Sequence, residues 1–127
     1  MRIFKNRWFA RFARREHITD ASLREAVSRA ERGLIDADLG GGLIKQRIAR
    51  KGQGRSGGYR MLLAYKARKS TVFFYAFAKN ERDNIEPDEL LTAREIAVQW
   101  IAADAKAITK AIQEGILEEV QNDDKKA

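Results

Sequence analysis

The spacing of apolar positions changes three times along the chain. Residues 2–6 (RIFKN) are long enough for a short strand. Trp8, Phe9 and Phe12 then follow helical spacing, with Arg7, Arg11, Arg14 and Arg15 on the remaining positions, so a helix is expected to run to about Glu16. A second helix is predicted after Ile18. Thr19, Asp20 or Ser22 can cap it, and Ser22 with Glu25 fits a capping box. Leu23, Ala26, Val27 and Ala30 line one face of it, and Gly33 supplies a stop. The two helices should form a hairpin. Residues 38–42 (DLGGG) read as a turn.

The period then drops to two. Leu43, Lys45, Arg47 and Ala49 alternate with Ile44, Gln46, Ile48 and Arg50, so a strand over 43–50 is predicted. Residues 51–58 (KGQGRSGG) read as a flexible loop, 59–67 as a second strand, 67–70 (ARKS) as a tight connection and 71–78 (TVFFYAFA) as a third. An antiparallel meander joins these at least cost. Helical spacing returns after Pro87, with Leu90, Ala93, Ala97, Trp100 and Ile101 on one stripe. A shorter helix is expected over 103–113, broken by Gly115. Residues 116–120 can be a last strand or a tail, and 121–127 should fray. The sum is a single α+β domain over residues 1–127, with Trp8, Phe12, Phe73, Phe74, Phe77 and Trp100 expected in its core.

Composition removes several classes of chemistry. The chain has no cysteine, so it has neither a disulfide nor a thiolate metal site, and this is compatible with a reducing cytoplasm. The single histidine, His17, excludes a Ser-His-acid set near the middle of the chain. The segment GQGRSGG lacks the Lys-Ser/Thr end of a phosphate loop. No apolar run is long enough for a membrane span or a signal sequence, and the basic, aromatic N-terminus reads as part of the fold.

Charge changes the picture most. Residues 1–38 carry a net +3, residues 39–80 carry +10 with no acidic residue, and residues 81–127 carry −6. Like charge crowded on one segment costs stability, so an external anion is expected to balance it. Lys45 and Arg47 leave the same face of their strand. Arg60 opens the next, Lys79 closes the third, and Arg82 follows it. Arg50, Lys51 and Arg55 lie in or beside the glycine segment, whose backbone amides can approach a phosphate. Tyr59, Tyr65 and Tyr75 offer rings on which a base can stack. These cations are expected to converge on one concave face that binds nucleic acid. Glu81, the first carboxylate after the run, reads as the anchor of a neighbouring arginine, with a general base as the other reading.

The segments LGGGLIKQRIARKGQGRSGGYRMLLAY and FFYAFAKNERDNI resemble the RelE/HigB-type toxins of bacterial type II toxin–antitoxin modules, over about residues 1–101. The resemblance implies a helical hairpin on a twisted, mostly antiparallel sheet with C-terminal helices. It also implies a metal-independent endoribonuclease, without cofactor, that cleaves mRNA in association with the ribosome. By position, Lys45, Arg47, Arg60 and Lys79 look like the family's catalytic set, with Arg50, Lys51, Arg55, Tyr59 and Arg82 as further RNA contacts. Asn80 stands where RelE-like members often carry an arginine, and no match for a late catalytic tyrosine is evident. The implied partners are a cognate antitoxin with a helix-turn-helix domain, the ribosome and mRNA, in the cytoplasm. ParE-type gyrase inhibitors share the fold, so a non-enzymatic gyrase inhibitor or RNA-binding module is the alternative.

Overall fold

The computed structural model describes residues 1–50, 54–82 and 84–121. Ten elements follow in order: β1 (Arg2–Asn6), α1 (Arg7–Glu16), α2 (Asp20–Glu31), β2 (Ala37–Gly40), β3 (Leu43–Arg50), β4 (Gly54–Lys66), β5 (Ser70–Ala78), α3 (Pro87–Ala102), α4 (Ala105–Gln113) and β6 (Leu117–Glu119). The strands form one sheet in the order β2-β3-β4-β5-β1-β6. All pairings are antiparallel except β1 with β5. The helical hairpin between β1 and the meander supplies the crossover that the parallel pair needs.

Local signals set the helix ends. The Asn6 side chain accepts a hydrogen bond from the Phe9 amide (2.7 Å) and caps α1. Thr19 caps α2 through the Ser22 amide (3.1 Å), so the Ser22–Glu25 box expected from the sequence does not form. Glu86 and Glu89 cap α3 reciprocally, with Pro87 in the first turn. Two sequence expectations are corrected. The DLGGG stretch contains the short strand β2 before its turn, and β4 begins at Gly54, inside the segment read as a loop. Residues 51–53 of that segment lie outside the described residues, as do 122–127 of the expected tail.

The sheet is covered on both faces. On one, α1 and α2 pack Phe9, Phe12, Leu23 and Val27 against Ile44, Ile48, Met61, Leu63 and Phe73. On the other, α3 and α4 pack Ala93, Ala97, Ile108 and Ala111 against Phe4, Leu43, Leu62, Val72 and Phe74. Each fully buried Leu or Phe contributes about 1.5–3 kcal/mol, so both layers hold the sheet. α3 covers only part of its face. Beyond it lie the residues of the acid-free run.

A break in register shapes that part. Tyr59 to Leu62 pair with Ala78 to Tyr75, but Leu63 pairs with Phe73, leaving Phe74 as the extra residue of a β-bulge. The bulge puts two successive aromatic rings, Phe74 and Tyr75, with the α3-side cluster, where plain alternation allows only one.

Candidate nucleic-acid interface

Strand register brings the predicted cations together in two rows. Lys45 pairs with Leu62, which pairs with Tyr75, and Arg47 pairs with Arg60, which pairs with Phe77. Adjacent strands lie about 4.7–4.9 Å apart, and residues two apart share a face. Lys45, Arg47 and Arg60 therefore occupy one small area of the α3 face, beside the part that α3 covers. The Lys79 amide donates to the Gly58 carbonyl (2.8 Å), extending the ladder one residue beyond β5. Alternation then puts Lys79 on the same face as Phe77.

Like charges directly opposite on neighbouring strands are destabilising. Arg47 and Arg60 are such a pair, and the surroundings partly compensate. The guanidinium of Arg47, 44% exposed at the side chain, donates to the Asp36 carboxylate (3.2 Å). Asp36 also accepts the Arg47 backbone N–H (2.6 Å) and the buried Arg29 guanidinium (3.4 Å). Burial pushes the Asp36 carboxyl up. The Arg47 backbone and side chain, with Arg29, outweigh that and hold it below its ordinary range. Arg60 is buried at 7% exposure, on the same row as Phe77. Lys45 reaches the Asn84 side-chain oxygen (3.4 Å).

The other predicted residues fall differently. Arg82 lies over the Phe77 ring, 4.9 Å from its centroid. Its guanidinium is held by both oxygens of Glu89 (3.1 Å for one) and by the Asn84 carbonyl (2.9 and 3.1 Å). The anchor is thus Glu89, not Glu81. The Arg82 guanidinium and the Glu86 backbone N–H hold the Glu89 carboxyl down at about 2. Tyr59 points away from the cations. It is buried on the helical-hairpin face, edge-on to Phe12 (5.8 Å), and its hydroxyl donates to Glu16 (2.8 Å). Tyr59 therefore does not share a face with the cation rows, which corrects the expectation that places it beside them. Lys51 lies outside the described residues, as do the side chains of Arg50 and Arg55.

Sequence reasoning missed three contributors. Asp36 and Glu89 come from outside the basic run and are matched to it only by tertiary packing. Trp8, expected in the core, is 37% exposed and stacks on Phe12 (5.3 Å) and Tyr75 (4.9 Å). It covers β5 where β1 has ended. A 650 Å³ cavity lies on the opposite face, at the turn of the helical hairpin, lined by Glu16, His17 and Tyr59 among others. The cation rows do not open into it. Among the described residues, no helix is long and apolar enough to cross a membrane.

The arrangement sets an exposed Arg47 beside Lys45 on one face of the sheet, where a phosphodiester can approach. The family model described as the RelE toxin of the RelE/RelB toxin–antitoxin system matches residues 1–120. Among curated proteins, none matches the chain.

Proposed function

Since the chain belongs to the RelE toxin family, the toxins of toxin–antitoxin systems that each face a cognate antitoxin, we propose that it acts as a metal-independent endoribonuclease on mRNA at the ribosome. The observation that carries this reading is the cross-strand pairing of an exposed Arg47 with a buried Arg60, beside Lys45 and Lys79, on the α3 side of the sheet. The substrate's own 2′-hydroxyl attacks the adjacent phosphorus. The bond from phosphorus to the 5′-oxygen breaks, leaving a 2′,3′-cyclic phosphate and a 5′-hydroxyl. One proton leaves the 2′-oxygen and one reaches the departing 5′-oxygen. Negative charge grows on the phosphoryl oxygens, where preorganised cations act most strongly.

Arg47 and Arg60 are assigned to those oxygens. Lys45 and Lys79 flank them, one on each side of the row, and serve as the proton donor and the base. Arg82, clamped by Glu89, shapes the edge of the site. The ribosome's part is to hold the message in line for attack. The antitoxin, a helix-turn-helix protein on this reading, silences the toxin by covering the cation rows or by blocking entry to the ribosome.

The test is mapping of 5′ ends in cellular mRNA after brief induction, with and without chelator in the matching assay on purified ribosomes. Removing one transition-state donor costs about 10²–10³ in rate. Arg47→Ala is expected to lose cleavage to that extent while remaining folded, because its side chain is substantially exposed. Arg60→Lys keeps a buried cation in place and should retain more activity than Arg60→Ala. Wild-type levels of cleavage in Arg47→Ala would remove this site. Supercoiling assays with gyrase address the alternative: inhibition of gyrase without mRNA cleavage would replace the nuclease reading.

A further inference from the structure

Beside the cation rows lies a cleft of 290 Å³ between the bulged part of β5 and the first turns of α3. Leu62, Phe74 and Ala93 form its floor, and Tyr75, Ile85 and Ile96 its sides. Asp88, Glu89 and Thr92 supply its polar rim. We propose that this cleft is a base-reading subsite, which takes one unpaired RNA base bearing an amino group (adenine, cytosine or guanine) and disfavours uracil. The proposal rests on the nucleic-acid reading above and adds to it where sequence preference arises.

Three features point to a base. The first is place. Leu62 and Tyr75 belong to the cross-strand row that starts at Lys45, and Glu89 holds Arg82 over Phe77. A phosphate on the Arg47–Arg60 row therefore leaves the cleft about one or two strand spacings away, within reach of the same or the next nucleotide. The second is shape. The volume is at the lower end of ligand pockets, which start at about 300 Å³, and suits one planar ring. Tyr75 gives it a flat wall that cannot swing freely, because Trp8 stacks on it (4.9 Å) and Phe77 packs beside it (6.4 Å). Single-stranded RNA is commonly read by aromatic stacking combined with hydrogen bonds to exposed base edges.

The third is the sign of the rim. Asp88 brings a carboxylate to the rim, whereas both oxygens of Glu89 are engaged by Arg82 and one of them also by the Glu86 N–H. The Thr92 hydroxyl spends its proton on the Asp88 carbonyl (3.2 Å), so toward the cleft it too offers lone pairs. The Asp88 carboxylate and the Thr92 hydroxyl thus act there as acceptors. Phosphate is repelled by such a rim, and so is an acidic peptide of the kind that would neutralise the cation rows. An exocyclic amino group satisfies it, as when Asp or Glu accepts from cytosine N4. Uracil offers a single N3–H between two carbonyls and no amino group, so it satisfies at most one acceptor while its own carbonyl lone pairs face the rest.

The test is binding rather than cutting. Fluorescence anisotropy is measured on short labelled oligouridylates whose 2′-hydroxyls are methylated, with A, C, G or U at each position in turn. The wild type is expected to favour the amino-bearing bases over uracil by about tenfold at one position. In Asp88→Asn, whose amide can donate to a uracil carbonyl, that ratio should fall below about twofold. Thr92→Phe, which fills the cleft, should abolish it. The ratio is the readout, because partial unfolding scales all four bases alike. No preference in the wild type, or an unchanged preference in both variants, overturns the subsite. So does loss of antitoxin binding in these variants with base preference intact, which would give the cleft to the protein partner. A protein that discriminates bases but never cuts mRNA keeps the subsite and removes the nuclease reading. One that cuts with the same preference in all three forms keeps the nuclease reading and removes the subsite.

Discussion

Asp36 sits where the two faces of the sheet can share one carboxylate. β2 begins at Ala37, so the Arg47 backbone N–H has no strand partner and Asp36 takes it. Its two oxygens then reach Arg29 on the helical-hairpin side and Arg47 on the open side. Arg29 also donates to the Arg47 carbonyl and pairs with Glu25. Asp36 thus acts as a positioning residue for Arg47. Asp36→Ala leaves one hydrogen-bonded partner of a buried guanidinium missing, which costs about 1–3 kcal/mol. Urea unfolding should show that loss, and cleavage by the folded fraction should fall as well, because Arg47 is no longer held. Asp36→Asn keeps an acceptor for the Arg47 amide and should recover stability more fully than activity. Glu89 gives a separate prediction at low pH. Its carboxyl is held at about 2 in the fold against 4.5 in the free residue. A depressed carboxyl pKa stabilises the fold above 4.5, and that contribution is lost as pH falls toward about 2. The stability difference between wild type and Glu89→Gln should therefore be constant at neutral pH and shrink through that window. A difference that does not change there would mean that the Glu89 carboxyl is not held down in the fold.

Asn6 links two elements with one side chain. Its oxygen caps α1, and its amide donates to the Phe74 carbonyl (3.3 Å), within the bulge of β5. The bulge carbonyl needs this bond because β1 ends there. Asn6→Ala should cost about 1–2 kcal/mol for the cap alone, plus whatever the bulge loses. Asn6→Asp keeps the cap and drops the donor, so thermal or urea melts should place it between the two. If Asp and Ala variants are equally unstable, the bulge contact and not the cap carries the effect. Gly42 is a second joint, at φ +88, where an added Cβ would come within 2.8 Å of the Ile101 side chain of α3. These joints show what was legible in the sequence and what was not. The helical hairpin, the meander and α3 follow from periodicity and caps, and alternation along β3 already places Lys45 with Arg47. Glycine content misled at both ends of β3, because Gly40 and Gly54 keep ladder pairing while supplying no side chain to mark a strand. The bulge has no local signature in TVFFYAFA, where every side chain after Thr71 is apolar or aromatic. The base-reading cleft depends on it, and on α3 arriving from residue 87. Alternation in β4 sets Tyr59 opposite in facing to Arg60, but periodicity alone does not say which face the helical hairpin covers.

Across the molecule, the acidic last third is spent mainly away from the basic middle. Glu118 and Glu119 on β6 pair with Arg2 (2.9 Å), Lys5 (3.5 Å) and Arg14 (3.8 Å) at the far edge of the sheet. Arg82 is neutralised by Glu89. Arg7 is tied to the Gly115 carbonyl (3.2 Å), and Arg15 to Glu16 (3.5 Å) and the Phe12 ring. The chain thus folds Arg2, Lys5 and Arg14 onto its C-terminal acids and leaves Lys45, Arg47, Arg60 and Lys79 together on one face. That division predicts how RNA binding responds to salt. Each phosphate neutralised on a single strand contributes a slope of about −0.7 to log K against log salt. With Lys45, Arg47, Arg60 and Lys79 as the contacting set, the slope should be about −3. Lys45→Ala or Lys79→Ala should each make it shallower by about 0.7 and weaken all sequences alike. Arg14→Ala should leave it unchanged, because that cation already faces Glu118. A slope near −5 would mean that the arginines along α1 release their acids and join the interface. RNA would then wrap over the Trp8 edge of β5 as well as the open face, and Arg11→Ala, which has no ion pair among the described residues, would reveal it by lowering the slope.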